Sequence, residues 1–104
     1  VGITSNSPNL NPKEYGLIQN YPNPFNPSTQ IKFNLTKTDL VVLKIYDVLG
    51  KEVRTLLNEK MNAGEKAAMW DGLDNSGMAV ASGSYFVKLE TSAGVDSKKM
   101  TLLK

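Results

Sequence analysis

Hydrophobic and polar residues alternate in short segments along most of this chain, with turn-forming residues between the segments. In residues 40–47, for example, Val41, Leu43 and Ile45 fall on one face of a strand and mixed or polar neighbours fall on the other. A period of two residues is typical of a strand with one buried face. The pattern predicts strands over residues 17–20, 30–35, 40–47, 53–57, 66–70, 84–91 and 95–103.

About seven short strands, spaced roughly ten residues apart, predict an all-β fold, an antiparallel immunoglobulin-like β-sandwich. The chain has no cysteine, so the term describes the architecture and not the disulfide of antibody domains. Residues 52–60 also fit a helical period through Val53, Leu56 and Leu57. We favour a strand there because the segment is short and lies between turn residues. Trp70 is the only tryptophan, and its large ring is expected at the centre of the core.

Residues 21–29, which we call the proline corner, contain prolines at positions 22, 24 and 27. Proline fixes φ and has no backbone N–H, and it disfavours helical geometry in the residue before it. The segment is therefore predicted to be a stiff corner that leads into a strand, with Tyr21 and Phe25 packed against the sandwich. Pro24 and Pro27 also match the PxxP pattern of polyproline ligands, but no basic residue flanks them closely. We favour the structural interpretation.

Residues 1–16 are rich in Asn, Ser and Pro and are predicted to form a linker to an upstream domain. The chain begins with Val1 and not with Met, so we interpret it as a piece of a longer protein. Residues 17–104 are then the folded domain, which is long enough to bury one core.

Charge and composition exclude several classes of function. The net charge is +2, and the basic residues are spread along the sequence, which argues against a nucleic-acid surface. The chain has no His and no Cys, so disulfides, Cys nucleophiles and His acid-base catalysis are excluded. No apolar run approaches the ~20 residues that a membrane helix needs, and no membrane span is expected.

The loop over residues 71–77 carries Asp71, Asp74 and Asn75, whose oxygens are suitable ligands for Ca²⁺. The spacing does not match an EF-hand, and the closing Glu is missing. We favour Asx turns, in which these side chains accept hydrogen bonds from the loop's own backbone. No cofactor is expected, and Ca²⁺ remains the alternative.

Other side chains suggest chemistry that we consider less suited to the pattern. Paired carboxylates can hydrolyse glycosides. The acids available here are Asp47, Glu52, Asp71 and Asp74. They lie in strand ends or turns, so no catalytic residue is expected. A second alternative is an aromatic platform for sugars, formed by Tyr46, Trp70, Tyr85 and Phe86. Packing in the core explains most of these rings.

The last predicted strand carries Lys98 and Lys99, and Lys104 follows it. These lysines either guard the edge of a sheet against unwanted pairing or form part of a recognition signal. Composition does not decide between the two.

Five segments occur in a set order: residues 21–27 (YPNPFNP), 46–53 (YDVLGKEV), 70–72 (WDG) with 75–77 (NSG), 81–85 (ASGSY) with 88–89 (KL), and 99–104 (KMTLLK). Together they resemble the type A C-terminal sorting domain of the type IX (Por) secretion system. The WDG and GSY portions are also similar to the Ig-like domain of flagellar hook-capping proteins. The resemblance covers about residues 17–104, and the order of the segments makes it specific.

The resemblance implies a non-enzymatic domain that directs an attached cargo through the outer membrane of a Gram-negative bacterium. The implied partners are the secretion machinery, with its outer-membrane translocon, shuttle protein and sortase, and the upstream cargo domain. The implied location is the periplasm in transit, then the cell surface or the medium, with cleavage in the linker before Leu17. The implied motif positions are Pro22, Asn23, Pro24, Gly50, Gly83, Tyr85, Lys88, Lys98, Lys99 and Lys104.

Two other functions fit the same residues. The domain is either an accessory carbohydrate- or Ca²⁺-binding module of an extracellular enzyme, or a structural spacer. We favour the sorting domain because a spacer needs neither the proline corner nor the lysine-bearing end.

Overall fold

A computed structural model describes residues 15–25 and 27–104. The part of the predicted linker before residue 15 lies outside these residues. Seven strands follow one another along the chain, and the described residues contain no helix. The strands are β1 (Tyr15–Tyr21), β2 (Thr29–Leu35), β3 (Asp39–Tyr46), β4 (Glu52–Met61), β5 (Gly64–Trp70), β6 (Gly83–Thr91) and β7 (Gly94–Leu102).

The strands form two antiparallel sheets. One has three strands in the order β1-β2-β5, and the other has four strands in the order β4-β3-β6-β7. This arrangement confirms the predicted all-β sandwich, and the predicted strand between Glu52 and Lys60 is correct as well. No helix among the described residues is long and apolar enough to cross a membrane.

Period-two alternation places the core between the sheets. Val41, Leu43 and Ile45 are completely buried, as the pattern predicts. Tyr85, Val87, Leu89, Met100 and Leu102 are also buried on the inner face of the four-stranded sheet, and Ile31, Phe33 and Leu35 face them from β2. Trp70 is completely buried at the end of β5, which confirms its predicted place.

Strand β1 is longer than the predicted strand over residues 17–20, because its pairing with β2 begins at Tyr15 opposite Leu35. It is an edge strand of its sheet, as expected. The prediction that Tyr21 packs against the sandwich is wrong, since 74% of this residue is exposed. Asn20 faces the interior at the end of β1, so alternation directs the next side chain outward.

Candidate recognition site at the proline corner

The base of the proline corner is a small buried hydrogen-bond cluster. Thr29 is completely buried, and its hydroxyl donates to the Pro22 carbonyl at 2.8 Å. The Asn20 amide donates to the Thr29 hydroxyl at 3.2 Å and to the Pro22 carbonyl at 3.3 Å. The Pro22 carbonyl thus accepts two bonds, one from Asn20 and one from Thr29, at the point where the chain leaves β1. The Tyr21–Pro22 and Asn23–Pro24 peptide bonds are both cis.

The corner then docks onto β7. The Phe25 N–H donates to the Thr101 carbonyl at 2.9 Å, and the Leu103 N–H donates to the Phe25 carbonyl at 3.0 Å. The Asn23 side-chain oxygen accepts from the Thr101 N–H at 3.1 Å. Residues about 78 positions apart in the sequence thus complete each other's backbone hydrogen bonds, as an added strand does. This junction joins the predicted stiff corner to the predicted lysine-bearing strand.

A row of aromatic rings extends from the proline corner into the core. The Phe25 ring lies 5.5 Å from that of Trp70, which lies 5.3 Å from that of Tyr85 in an edge-on arrangement. Both geometries are favourable for aromatic pairs. The Trp70 indole N–H donates to the Leu73 carbonyl at 2.9 Å, and the Tyr85 hydroxyl donates to the Ala81 carbonyl at 2.6 Å. The bond from Tyr85 resembles the tyrosine corner of immunoglobulin-like sandwiches.

Burial and then the negative charge of Asp47 raise the pKa of the Tyr85 phenol above its usual value. The hydroxyl therefore keeps its proton and serves as a donor to the backbone.

The corner also touches the loop that follows Trp70. Gly72 has φ of +79°, and a Cβ placed there would lie 3.0 Å from the Pro27 carbonyl oxygen. Only glycine combines this backbone conformation with so close an approach. The YPNPFNP, WDG, GSY and KMTLLK segments therefore meet at one end of the sandwich.

A cleft opens between the corner and β7, with a volume of about 380 Å³. Its lining residues, which define what we call the lysine cleft, are Asn20, Tyr21, Pro22, Asn23, Pro24, Lys98 and Lys99. Of the sequence-predicted motif positions, Pro22, Asn23 and Pro24 lie here together with Lys98 and Lys99. Because β7 is an edge strand of its sheet, the two lysines occupy the predicted sheet edge as well.

The remaining motif positions lie elsewhere. Gly50 has φ of +83° in the turn between β3 and β4, where the Asp47 carboxylate accepts from the Leu49 and Lys51 N–H groups at 2.9 Å each. Gly83 begins β6. The Lys104 N–H donates to the Ser82 hydroxyl at 3.1 Å, which holds the chain beyond β7 near the start of β6.

Lys88 lies on the outer face of the four-stranded sheet. Its ammonium is 3.4 Å from a Glu90 carboxylate oxygen and 5.5 Å from the centre of the Tyr46 ring. Tyr46 is paired across the strands with Phe86, and 37% of Phe86 is exposed. Tyr46, Phe86 and Lys88 line a groove of about 390 Å³. Trp70 and Tyr85 are buried, so this pair is what remains of the sugar platform considered from the sequence.

The loop over residues 71–77 folds around its own side chains. The Asp74 carboxylate accepts from the Ser76 and Met78 N–H groups at 2.9 and 3.0 Å, and from the Ser76 hydroxyl at 2.8 Å. Asp71 accepts from the Leu73 N–H and from Arg54. These are the expected Asx turns. The backbone donor of Met78, then the Ser76 hydroxyl, hold the pKa of Asp74 below its usual value.

Asn75 is engaged in the same way, since its side-chain oxygen accepts from the Thr55 N–H at 2.9 Å. Its amide donates to a Glu52 carboxylate oxygen at 3.1 Å. No group of three or more His, Cys, Asp or Glu side chains in the described part of the chain is placed to hold a metal ion. The oxygens considered for Ca²⁺ thus have hydrogen-bond donors of their own, and Ca²⁺ binding stays an untested alternative.

The acids considered for catalysis are also engaged in structural contacts. Glu52 accepts from the Thr55 hydroxyl at 2.8 Å and pairs with Lys44 at 3.2 Å. Thr55, then Lys44, lower the pKa of Glu52 from its usual value. A general acid needs the opposite shift.

Sequence reasoning missed two features of the site. The docking of Phe25 onto Thr101 and Leu103 joins backbone groups from opposite ends of the domain, which no local pattern indicates. The exposure of Tyr21, by contrast, follows from alternation once Asn20 is placed inward. The sequence gives no signal that a polar side chain, Asn20, takes the inward position there.

Comparison with known proteins gives a family and a fold. A model of the FlgD Ig-like domain family matches residues 23–94, which is more than half of the chain. No curated protein matches the chain significantly. The solved structure of FlgD from P. aeruginosa has a TM-score of 0.62 at 22% identity, over 85% of this chain and 68% of that one.

Two structures from Porphyromonas gingivalis are similar as well. Dimeric latent PorU has a TM-score of 0.66 at 23% identity, over 86% of this chain and 9% of PorU. PorZ, an essential surface component of the type-IX secretion system, has a TM-score of 0.54 at 24% identity, over 82% of this chain and 11% of PorZ. At these identities the likeness shows the fold, and the chain corresponds to a small part of each protein.

Proposed function

The chain belongs to the FlgD Ig-like domain family, and we propose that it is a non-catalytic C-terminal sorting domain. In this proposal it directs an attached cargo through the type IX secretion system for surface attachment or release. The machinery that reads it includes the outer-membrane translocon, the shuttle protein and the sortase. The cargo domain lies upstream in the same chain.

The observation that carries the proposal is the docking of the proline corner onto the last strand. Two backbone bonds, one from Phe25 to Thr101 and one from Leu103 to Phe25, and the bond that Asn23 accepts from Thr101 make these segments one surface. Of the five segments that resemble the sorting-domain pattern, YPNPFNP, WDG, GSY and KMTLLK contribute to the same end of the domain. A domain of the same fold occurs in PorZ, a component of the type-IX system, which supports the same interpretation.

The test is export of a reporter that carries residues 1–104 at its C-terminus, in a bacterium with a type IX system. We expect the reporter at the surface or in the medium. Deletion of residues 100–104 removes buried Met100 and Leu102, so the shorter deletion of Leu103 and Lys104 is made alongside it. The shorter deletion removes the bond to the Phe25 carbonyl and keeps the buried side chains in place.

We expect both truncated reporters to stay in the periplasm, with the shorter variant still folded by circular dichroism. Export of either one at the wild-type level contradicts the proposed function. The control is the reporter with the full-length domain and the substitution Lys32→Glu, which changes an exposed side chain of β2. We expect this control to be exported.

A second candidate function is an accessory carbohydrate-binding module, which the groove beside Tyr46 and Phe86 favours. Aromatic side chains offer flat faces for stacking. Retention of the isolated domain on an insoluble polysaccharide column, lost on Phe86→Ala, would support this function. Passage of the wild-type domain without delay would argue against it.

A further inference from the structure

The lysine cleft brings two basic side chains together. Lys98 and Lys99 line it, and none of its lining residues is acidic. By contrast, three basic side chains elsewhere form ion pairs: Lys44 with Glu52, Arg54 with Asp71, and Lys88 with Glu90. Neither cleft lysine forms an ion pair with any residue that the structure describes. Two uncompensated positive charges in a concave site favour an anionic occupant.

The opposite wall of the cleft is apolar and rigid. Tyr21 exposes 74% of its surface, and Pro22 and Pro24 are exposed beside it. The buried bonds of Asn20 and Thr29 to the Pro22 carbonyl hold this wall in place. An exposed aromatic ring on a fixed support binds a partner at low cost in side-chain entropy, and such rings are enriched at protein interfaces.

The backbone of β7 indicates that the occupant is a polypeptide. Thr101 directs its N–H and its carbonyl away from β6 and toward Asn23 and Phe25. Lys99 lies two residues earlier on the same strand, so its N–H and carbonyl point to the same side. Among the described strands, β7 pairs only with β6. An extended chain can thus bond to the Lys99 backbone where the proline corner stops, by strand addition.

We propose that the lysine cleft binds an extended acidic segment of a partner protein. Carboxylates of two successive residues of the segment pair with Lys98 and Lys99, whose side chains leave opposite faces of β7. The backbone of the segment bonds to Lys99, and an apolar side chain of the segment lies on Tyr21. The site itself follows from the cleft, while the identification of the partner as a component of the export machinery rests on the proposed sorting function.

The experiment uses the 104-residue chain and a labelled peptide of repeated Glu-Glu-Val, with fluorescence anisotropy at low ionic strength. We expect saturable binding that weakens with salt. The double variant Lys98→Glu, Lys99→Glu should bind about tenfold more weakly or worse, because two attractive contacts become repulsive. The matched control Lys32→Glu, Lys60→Glu changes the net charge equally at exposed sites outside the cleft and should bind as the wild type does.

Several results would contradict the binding of an acidic segment in the lysine cleft. Equal loss in the cleft variant and the control would mean that only net charge matters. Equal binding of a Gln-Gln-Val peptide would remove the role of the carboxylates. Tight binding of heparin without binding of the Glu-Glu-Val peptide would assign the site to an acidic polysaccharide instead. A chemical-shift map centred away from Tyr21, Lys98 and Lys99 would place the peptide elsewhere.

The export reporter separates this inference from the proposed function. Loss of peptide binding together with loss of export in the cleft variant supports both. If the cleft variant loses peptide binding but is exported normally, the cleft is still a peptide-binding site, and its link to the export machinery is overturned. Normal export of the truncated reporters overturns the sorting function and leaves the peptide result as the test of the cleft.

Discussion

Two neighbouring loops at one end of this sandwich are fixed in opposite ways. The loop over residues 71–77 is held mostly from within, since Asp74 accepts three hydrogen bonds from Ser76 and Met78. The proline corner depends on distant residues, because Phe25 and Asn23 bond to Thr101 and Leu103 at the far end of the chain. The loop over residues 71–77 is a local structure, whereas the proline corner is completed only when β7 is in place.

This difference bears on recognition. A partner that reads the proline corner against β7 reads a surface that exists only in the completed domain. A partner that reads the loop over residues 71–77 would find its surface in a much shorter segment. The corner is therefore the better place for a signal that reports that folding is finished.

The largest expected effect comes from the side chain that anchors the corner in the core. Phe25→Ala removes a ring that is 1% exposed and packed on Trp70. The expected loss is about 3–5 kcal/mol in the free energy of unfolding, measured by urea denaturation. Tyr21→Ala, on an exposed ring of the same segment, should cost about 0.5 kcal/mol or less. Equal losses in the two variants would mean that the corner is not anchored through Phe25.

The next effect tests the contact between the two loops. Gly72 and Gly77 both have positive φ, +79° and +87°, but only Gly72 approaches a backbone atom, the Pro27 carbonyl oxygen. Gly77→Ala should therefore cost about 1–2 kcal/mol from backbone conformation alone. Gly72→Ala should cost about 1 kcal/mol more, because the corner must also shift. Thermal unfolding of both variants measures the difference, and identical losses would show that the contact with Pro27 carries no energy.

Much of the fold follows from local pattern, and the described strands show why. Alternation through Val41, Leu43 and Ile45, and glycine at position 50, act over a few residues and leave little choice of structure. The sandwich and the Asx turns at Asp74 were predictable for this reason.

The lysine cleft was less accessible to sequence reasoning. The pattern pointed to Pro22 and Lys98 separately, and it did not show that they face each other. Their proximity depends on the order of strands in two sheets and on the docking of Phe25, which are properties of the whole chain. Tyr21 was misplaced because large aromatic rings usually enter a core, whereas here the inward position at the end of β1 belongs to Asn20.

A smaller effect should appear as a pH dependence that is confined to one of the loops. The folded-state pKa of Asp74 is lowered by its bonds to Met78 and Ser76. Its stabilising contribution is therefore complete above the unfolded-state pKa, near pH 4, and is lost as the pH falls through the folded-state value. Asp74→Asn should be less stable than the wild type at neutral pH, and the difference in melting temperature should shrink in acid.

The bond that the Asn23 side chain accepts from the Thr101 N–H does not titrate. An Asn23→Ala variant should therefore show a loss of stability that stays constant over the same pH range. A deficit of Asp74→Asn that is equally constant would contradict the assignment of the carboxylate as a charged acceptor.

Amide hydrogen exchange tests most directly whether the proline corner and β7 form one unit. In the intact chain, the Phe25 and Leu103 amides should exchange as slowly as those of β6, since both are bonded between the corner and the last strand. Asn23→Ala should speed exchange at Thr101 by about fivefold, which corresponds to a net hydrogen-bond contribution of about 1 kcal/mol, and leave Ser76 unchanged. Fast exchange at Phe25 and Leu103 in the wild type, with slow exchange in β6, would contradict the account.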